Sequence, residues 1–330
     1  MDTIDWLLDS DPAICWQAMR DLTDASPAAI AAERARVSRE GLGAEILSKQ
    51  ESDGSWRTPD EPAWLSTLFT LLLLRSTGID PAEPAVKAAM ARSEANLRWS
   101  DRPNWDLREA ELGGNPFFEG EVEPCINGGV LAFGSYFGHP SESLARRLLS
   151  EQLEDGGWNC EAPKSTRSSF HTTICVLEGL FEYERSTGPG NQIASQIAAA
   201  RRRGEEYLLE RCLFRRLSTG EVANPEFLDL AFPPRYHYDI LRALDYFRAA
   251  DLQPGPRPDP RMDEALRIIE SRRQTDGGWL LERAYDEALT VTTGEPEGGP
   301  SRWNTLRALR VLRWYEQRGQ KPAVSSPPAS

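Results

Sequence analysis

Residues 148–158 read LLSEQLEDGGW: an aliphatic pair, then Gln152, Asp155, Gly156 and Trp158. The same order returns in residues 46–56, ILSKQESDGSW, and in residues 268–279, IIESRRQTDGGW. One physical reading fits all three. An amphipathic helix ends on its last apolar residues and a Gln. Asp-Gly then makes a tight turn in which Gly takes positive φ. The Trp folds back beside the helix end, where the Gln amide lies against it. A repeat of this kind is the first thing that decides a fold.

Working outward, apolar helices follow or separate these turns. They are expected over 13–22, 64–75, 125–137, 170–184, 237–250 and 303–317, each with apolar residues at helical spacing. Charged, Ala/Arg/Glu-rich helices alternate with them, over 28–49, 82–97, 142–151, 193–211 and 262–273, each with one wet face. No alternating β-branched run is long enough for a sheet. Six apolar helices alternating with charged ones predict an all-α chain, an (α/α)6 toroid of inner and outer helices. The repeat spans residues 50–279, so one domain over 1–318 is expected despite a length of 330 residues. Residues 319–330, rich in Pro and Ser, read as a disordered tail. The Gly/Pro-rich segments 99–124, 164–168, 219–235 and 289–301 precede inner helices. They are expected to gather at one mouth, where loops carry function.

Composition narrows the function classes. With 51 Asp+Glu against 38 Lys+Arg, the formal charge is −13, which disfavours a nucleic-acid surface. The longest apolar run, residues 65–74, is too short to span a bilayer and contains Ser and Thr. The start of the chain is acidic, with no basic n-region, so no secretory signal is expected. Five scattered cysteines do not make a disulfide scaffold. A cytoplasmic protein is the resulting expectation.

The Gln-x₂₋₃-Gly-x-Trp turns resemble the QW repeats of the squalene–hopene cyclase and protein prenyltransferase superfamily, over most of residues 50–314. The nearest likeness is to bacterial squalene-cyclase-like proteins. The resemblance implies an apolar central cavity for an isoprenoid chain. Class II cyclases of the superfamily protonate an alkene with Asp-x-Asp-Asp. That motif is absent; Asp9-Ser-Asp11 lacks its last residue. Prenyltransferase catalytic subunits bind zinc through Asp-x-Cys and a distant His. Here Glu123-Pro-Cys125 is similar to the first, with Glu for Asp, and Phe170-His171-Thr-Thr to the second.

Thiolate, imidazole and carboxylate are the groups zinc prefers. Glu123, Cys125, Cys160 and His171 are therefore the expected ligand set, brought together because consecutive inner helices start side by side. Cys15, Cys175 and Cys212 read as core. Residues 232–239, FPPRYHYD, open another inner helix; His237 and Asp239 are the candidate acid/base pair, with capping the simpler role for Asp239. Arg235 and Arg302 are candidates for an anionic head group such as a diphosphate, with salt bridges as the plainer reading. Tyr238, Trp303 and Trp64 are candidates for contact with an apolar substrate. Trp99, Trp105, Phe117, Phe118, Phe133, Tyr136 and Phe170 are also expected partly to line the bore.

Three functions follow as expectations. The first is a zinc-dependent transferase or lyase acting on an isoprenoid-like apolar substrate or isoprenoid diphosphate. The second is a non-enzymatic terpenoid or lipid carrier with a structural metal. The third is a class II-type cyclase using Asp239 as proton donor.

Overall fold

The computed structural model describes residues 2–99, 114–251 and 258–319; Trp105 and the tail fall outside them. Thirteen α-helices dominate the described residues. They are α1 (Thr3–Leu8), α2 (Pro12–Leu22), α3 (Pro27–Arg34), α4 (Gly41–Ser48), α5 (Ala63–Thr77), α6 (Pro84–Asn96), α7 (Pro124–Tyr136), α8 (Glu142–Ser150), α9 (Phe170–Thr187), α10 (Ala194–Glu210), α11 (Ile240–Ala249), α12 (Asp263–Ser271) and α13 (Arg302–Gly319). Extended structure among the described residues is limited to two-residue strands and isolated bridges. β1 (Arg98–Trp99) pairs with β2 (Asn115–Pro116), and β3 (Trp279–Leu280) with β4 (Pro300–Ser301), both antiparallel. The chain is all-α.

The three QW turns share one geometry. Gly54, Gly156 and Gly277 all have φ near +90° (86°, 96° and 88°), which makes glycine the fitting residue. The indole Nε1 of Trp56, Trp158 and Trp279 each donates, at 2.7 Å, to a carbonyl near the end of the preceding helix: Ile46, Leu148 and Ile269. Each Trp backbone N–H donates to a threonine hydroxyl on the following apolar helix: Thr67 at 3.1 Å, Thr173 at 3.1 Å and Thr305 at 2.9 Å. Gln50 and Gln152 each bridge the glycine carbonyl of the turn and a carbonyl of a later charged helix, Ala85 of α6 and Ala200 of α10. Gln274 stands one residue nearer its Asp, and its amide instead reaches the Arg272 carbonyl.

One expected helix is corrected. Residues 28–49 form two helices, not one. Asp11 caps α2 by accepting from Ala13 N–H (2.8 Å), and its second oxygen accepts from Leu42 N–H (2.6 Å) at the start of α4. Gly41 takes φ +65° to bring Leu42 there, and a Cβ on it would collide with the Asp11 carboxylate. The chain therefore bends between α3 and α4.

The apolar helices are linked in series. α5 packs on α7, α7 on α9, α11 on α13, and α13 on α2. Arg242 of α11 pairs with Glu178 of α9 at 2.7 Å. Trp16 and Gln17 of α2 donate to the Thr77 and Ser76 carbonyls of α5. The α7–α9 contact is the closest. A Cβ on Gly128 would sit 2.5 Å from the Cys175 carbonyl oxygen, and one on Gly179 2.5 Å from that of Gly128. Two glycines thus let two backbones touch, and this contact sets the spacing of the side chains at the starts of α7 and α9.

Candidate metal centre and the central cavity

Glu123 is the N-cap residue of α7, yet its carboxylate makes no capping bond. Pro124 follows at the first helical position and Cys125 at the second. Cys160 comes two residues after Trp158, so the Trp158 latch fixes its place at the entry to α9. The Cys125 and Cys160 sulfurs are 3.0 Å apart, and Cys125 Sγ is 3.7 Å from Glu123 Oε2. Cys160 Sγ also lies 3.4 Å from the Thr172 hydroxyl. The donor atoms of Glu123, Cys125 and Cys160 all fall within 4.8 Å of one another, which fits a single metal ion.

Electrostatics agree with that donor set. The Cys160 sulfur and burial together push the Cys125 thiol well above its usual range. Burial pushes the Glu123 carboxyl up, against hydrogen bonds from both thiols that hold it down. Nearby Glu121 is raised to about 7 by burial and by the Glu123 charge. The acidic groups gathered here are all pushed upward for want of nearby positive charge, which a divalent ion would supply.

His171 does not join the three within that distance. Its Nδ1 accepts the Tyr238 backbone N–H at 2.9 Å. A neutral imidazole that accepts at Nδ1 carries its proton on Nε2, so neither nitrogen of this ring has a lone pair left for a metal. Burial also lowers the His171 pKa, which keeps the ring neutral. The expected fourth ligand is thus engaged with the start of α11.

His237 and Asp239 do not form a pair. His237 is sandwiched between Tyr236 (ring centroids 4.1 Å) and Tyr285 (3.5 Å, nearly parallel). Burial, then the neighbouring His171, Arg235 and Arg242, lowers its pKa to about 4. Asp239 is buried; one oxygen caps α11 through Arg242 N–H at 2.8 Å. Its other oxygen is buried without a hydrogen-bond partner among the described residues.

A cavity of about 840 Å³ is lined by residues of α2, α3, α5, α7, α9, α11 and α13. Arg235 and Trp303 line it, with Trp303 stacked on Phe232 at 4.3 Å. Arg302, Tyr238 and Trp64 are not among its lining residues. Arg302 lies over the Trp6 ring, 4.6 Å from its centroid. Tyr238 packs its ring on Phe170 and Phe227. Trp64 is buried edge-on against Trp99. Of the other aromatics expected at a bore, Tyr136 reaches the cavity, while Trp99, Phe117, Phe118, Phe133 and Phe170 are core.

The wall is mixed, apolar in part as expected and charged as well. Among the described residues nine arginines and four carboxylates line the cavity, so its wall is cationic inside an acidic chain. Phe69, Leu72, Phe232, Trp303 and Leu306 supply its apolar part. Sequence reading named Arg235 but missed the other eight, which are spread over α2, α3, α5, α9, α11 and α13. It also missed Tyr285, which arrives from a distant loop. The chain matches no protein-family model, and no curated protein matches its sequence.

Proposed function

We propose that the chain is a zinc-dependent enzyme, a transferase or lyase, built on a closed α/α toroid. The observation that carries this is the convergence of Glu123, Cys125 and Cys160 at the starts of neighbouring apolar helices. The serial helix contacts, returning from α13 to α2, support the toroid. When bound, zinc supplies a Lewis acid that lowers the pKa of a coordinated thiol, hydroxyl or water. Three protein ligands leave a position open, as catalytic zinc sites do. Cys125 and Cys160 hold the ion as thiolates, and Glu123 completes the set. Asp239 caps a helix, which removes the support for a cyclase that uses it as proton donor.

Metal analysis of the purified protein tests the reading. We expect about one zinc per chain. Cys125→Ser and Cys160→Ser are each expected to lose it, and His171→Ala to keep it. Cobalt substitution is expected to give thiolate charge-transfer absorption that both cysteine variants lack. Full zinc content in both cysteine variants overturns the site. Loss of zinc in His171→Ala makes the site four-coordinate and closed, which overturns the catalytic role in favour of a structural metal.

A further inference from the structure

The central cavity lies apart from the metal cluster. Glu123 and Cys125 open α7, whereas the residue of α7 that lines the cavity is Tyr136, its last. Eleven residues of helix separate Cys125 from Tyr136, about 16 Å at 1.5 Å per residue. On α9 the lining likewise begins at Glu178, two turns beyond His171.

Most of the cavity's guanidinium groups are matched. Arg75 pairs with Glu182 at 2.8 Å and Arg242 with Glu178 at 2.7 Å. Arg248 and Arg310 share Asp245, and Arg20 pairs with Asp21. Arg185 reaches Glu182 at 3.5 Å. Two have no carboxylate partner among the described residues, and a third is only partly satisfied. Arg34 donates to the Gly78 carbonyl and the Tyr136 hydroxyl, and no carboxylate among the described residues pairs with it. Arg307 is buried and donates through Nη1 to the Ala231 carbonyl and the Asn304 side chain, again without a paired carboxylate among the described residues. Arg235 reaches the exposed Glu287 with Nη1, but its Nε is buried and has no hydrogen-bond partner. Arg235 adopts φ +47°, a conformation uncommon for a non-glycine residue, and its guanidinium lies 4.0 Å from the Phe69 ring centroid.

We propose that this cavity binds a small organic anion carrying at least two negative charges, phosphate or carboxylate, held by Arg34, Arg235 and Arg307. Guanidinium groups with spare donors, turned to one cavity, suit an oxyanion such as a carboxylate or phosphate, whose oxygens accept their N–H groups. Burial lowers the Arg307 pKa despite the nearby Asp239 and Asp245, so a bound anion would favour its charged form further. A volume of about 840 Å³ suits a metabolite-sized molecule, and Phe69, Leu72 and Leu306 offer its carbon skeleton an apolar seat. The inference is independent of the metal reading.

Calorimetry with inorganic diphosphate and with citrate tests it, with sodium chloride at matched ionic strength as control. The wild-type protein is expected to bind at least one of the two, and the preferred one tells phosphate from carboxylate. Arg34→Gln, Arg235→Gln and Arg307→Gln are each expected to raise Kd at least tenfold, and Arg307→Lys by less than Arg307→Gln. If Arg307→Gln does not fold, Arg34→Gln and Arg235→Gln carry the test. Cys125→Ser is expected to bind the anion as wild type does, which separates failure here from failure of the metal site. No binding of either anion at millimolar concentration, or unchanged Kd in an Arg34→Gln/Arg235→Gln double variant, overturns the proposal.

Discussion

Asp239 accepts a backbone N–H with one oxygen and buries the other, and burial pushes its carboxyl above the usual range. Removing the cap with Asp239→Ala is expected to cost about 1 kcal/mol. Asp239→Asn keeps the cap and sheds a buried charge, so its loss should be smaller. Thermal denaturation of the two variants checks this; equal losses would mean that the charge, facing Arg307, matters more than the cap. His237 gives a separate expectation. Its folded pKa is about 4 against an ordinary 6.5. As pH falls through 6.5 the unfolded chain takes up this proton and the folded one does not. Its contribution to stability is therefore present above pH 6.5 and is lost between 6.5 and 4. His237→Gln should flatten that part of a melting-temperature profile. The cap was legible, because Asp before an apolar helical run has one common role. The stacking of His237 was not, because Tyr285 is far away in the chain.

At the scale of elements, the QW latch is the unit that repeats. Trp158 is fully buried, so Trp158→Ala is expected to cost about 3–5 kcal/mol. Thr173→Val leaves the buried Trp158 N–H without its acceptor, at a cost of about 1–3 kcal/mol. Chemical denaturation measures both; a Thr173→Val loss near zero would show that the hydroxyl is dispensable. Gln, Asp, Gly and Trp were readable because they lie at nearly fixed spacing within one turn. The threonines were not. They follow their tryptophans by 11, 15 and 26 residues, since each latch spans a loop of different length. The same limit applies to the metal cluster. Ligand chemistry pointed to Glu123, Cys125 and Cys160. Nothing in the spacing of residues could show that His171 spends its Nδ1 on the first turn before α11.

Across the whole molecule, the helical class followed from the apolar spacing alone, while the character of the cavity did not. Its nine arginines are scattered over the chain, and only the packing of helices turns them to a common space. Arg310 shows how the ends of that packing are joined. From α13 it pairs with Asp245 of α11 and reaches Gln17 of α2 at 3.0 Å. Its side chain is largely buried, so Arg310→Ala removes one of the two guanidinium groups that hold Asp245 and the bond to Gln17, and is expected to cost about 1–3 kcal/mol. A melting temperature within a degree of wild type would show that this junction carries little of the fold. The junction also has a consequence for synthesis. Arg310 and Gln17 are 293 residues apart, so α2 leaves the ribosome long before its partner exists. At 5–20 residues per second, that is a wait of roughly 15–60 seconds with one apolar flank of α2 uncovered. Nascent chains should thus draw on chaperones until α13 emerges, and release stalled before α13 should yield aggregates rather than a smaller folded product.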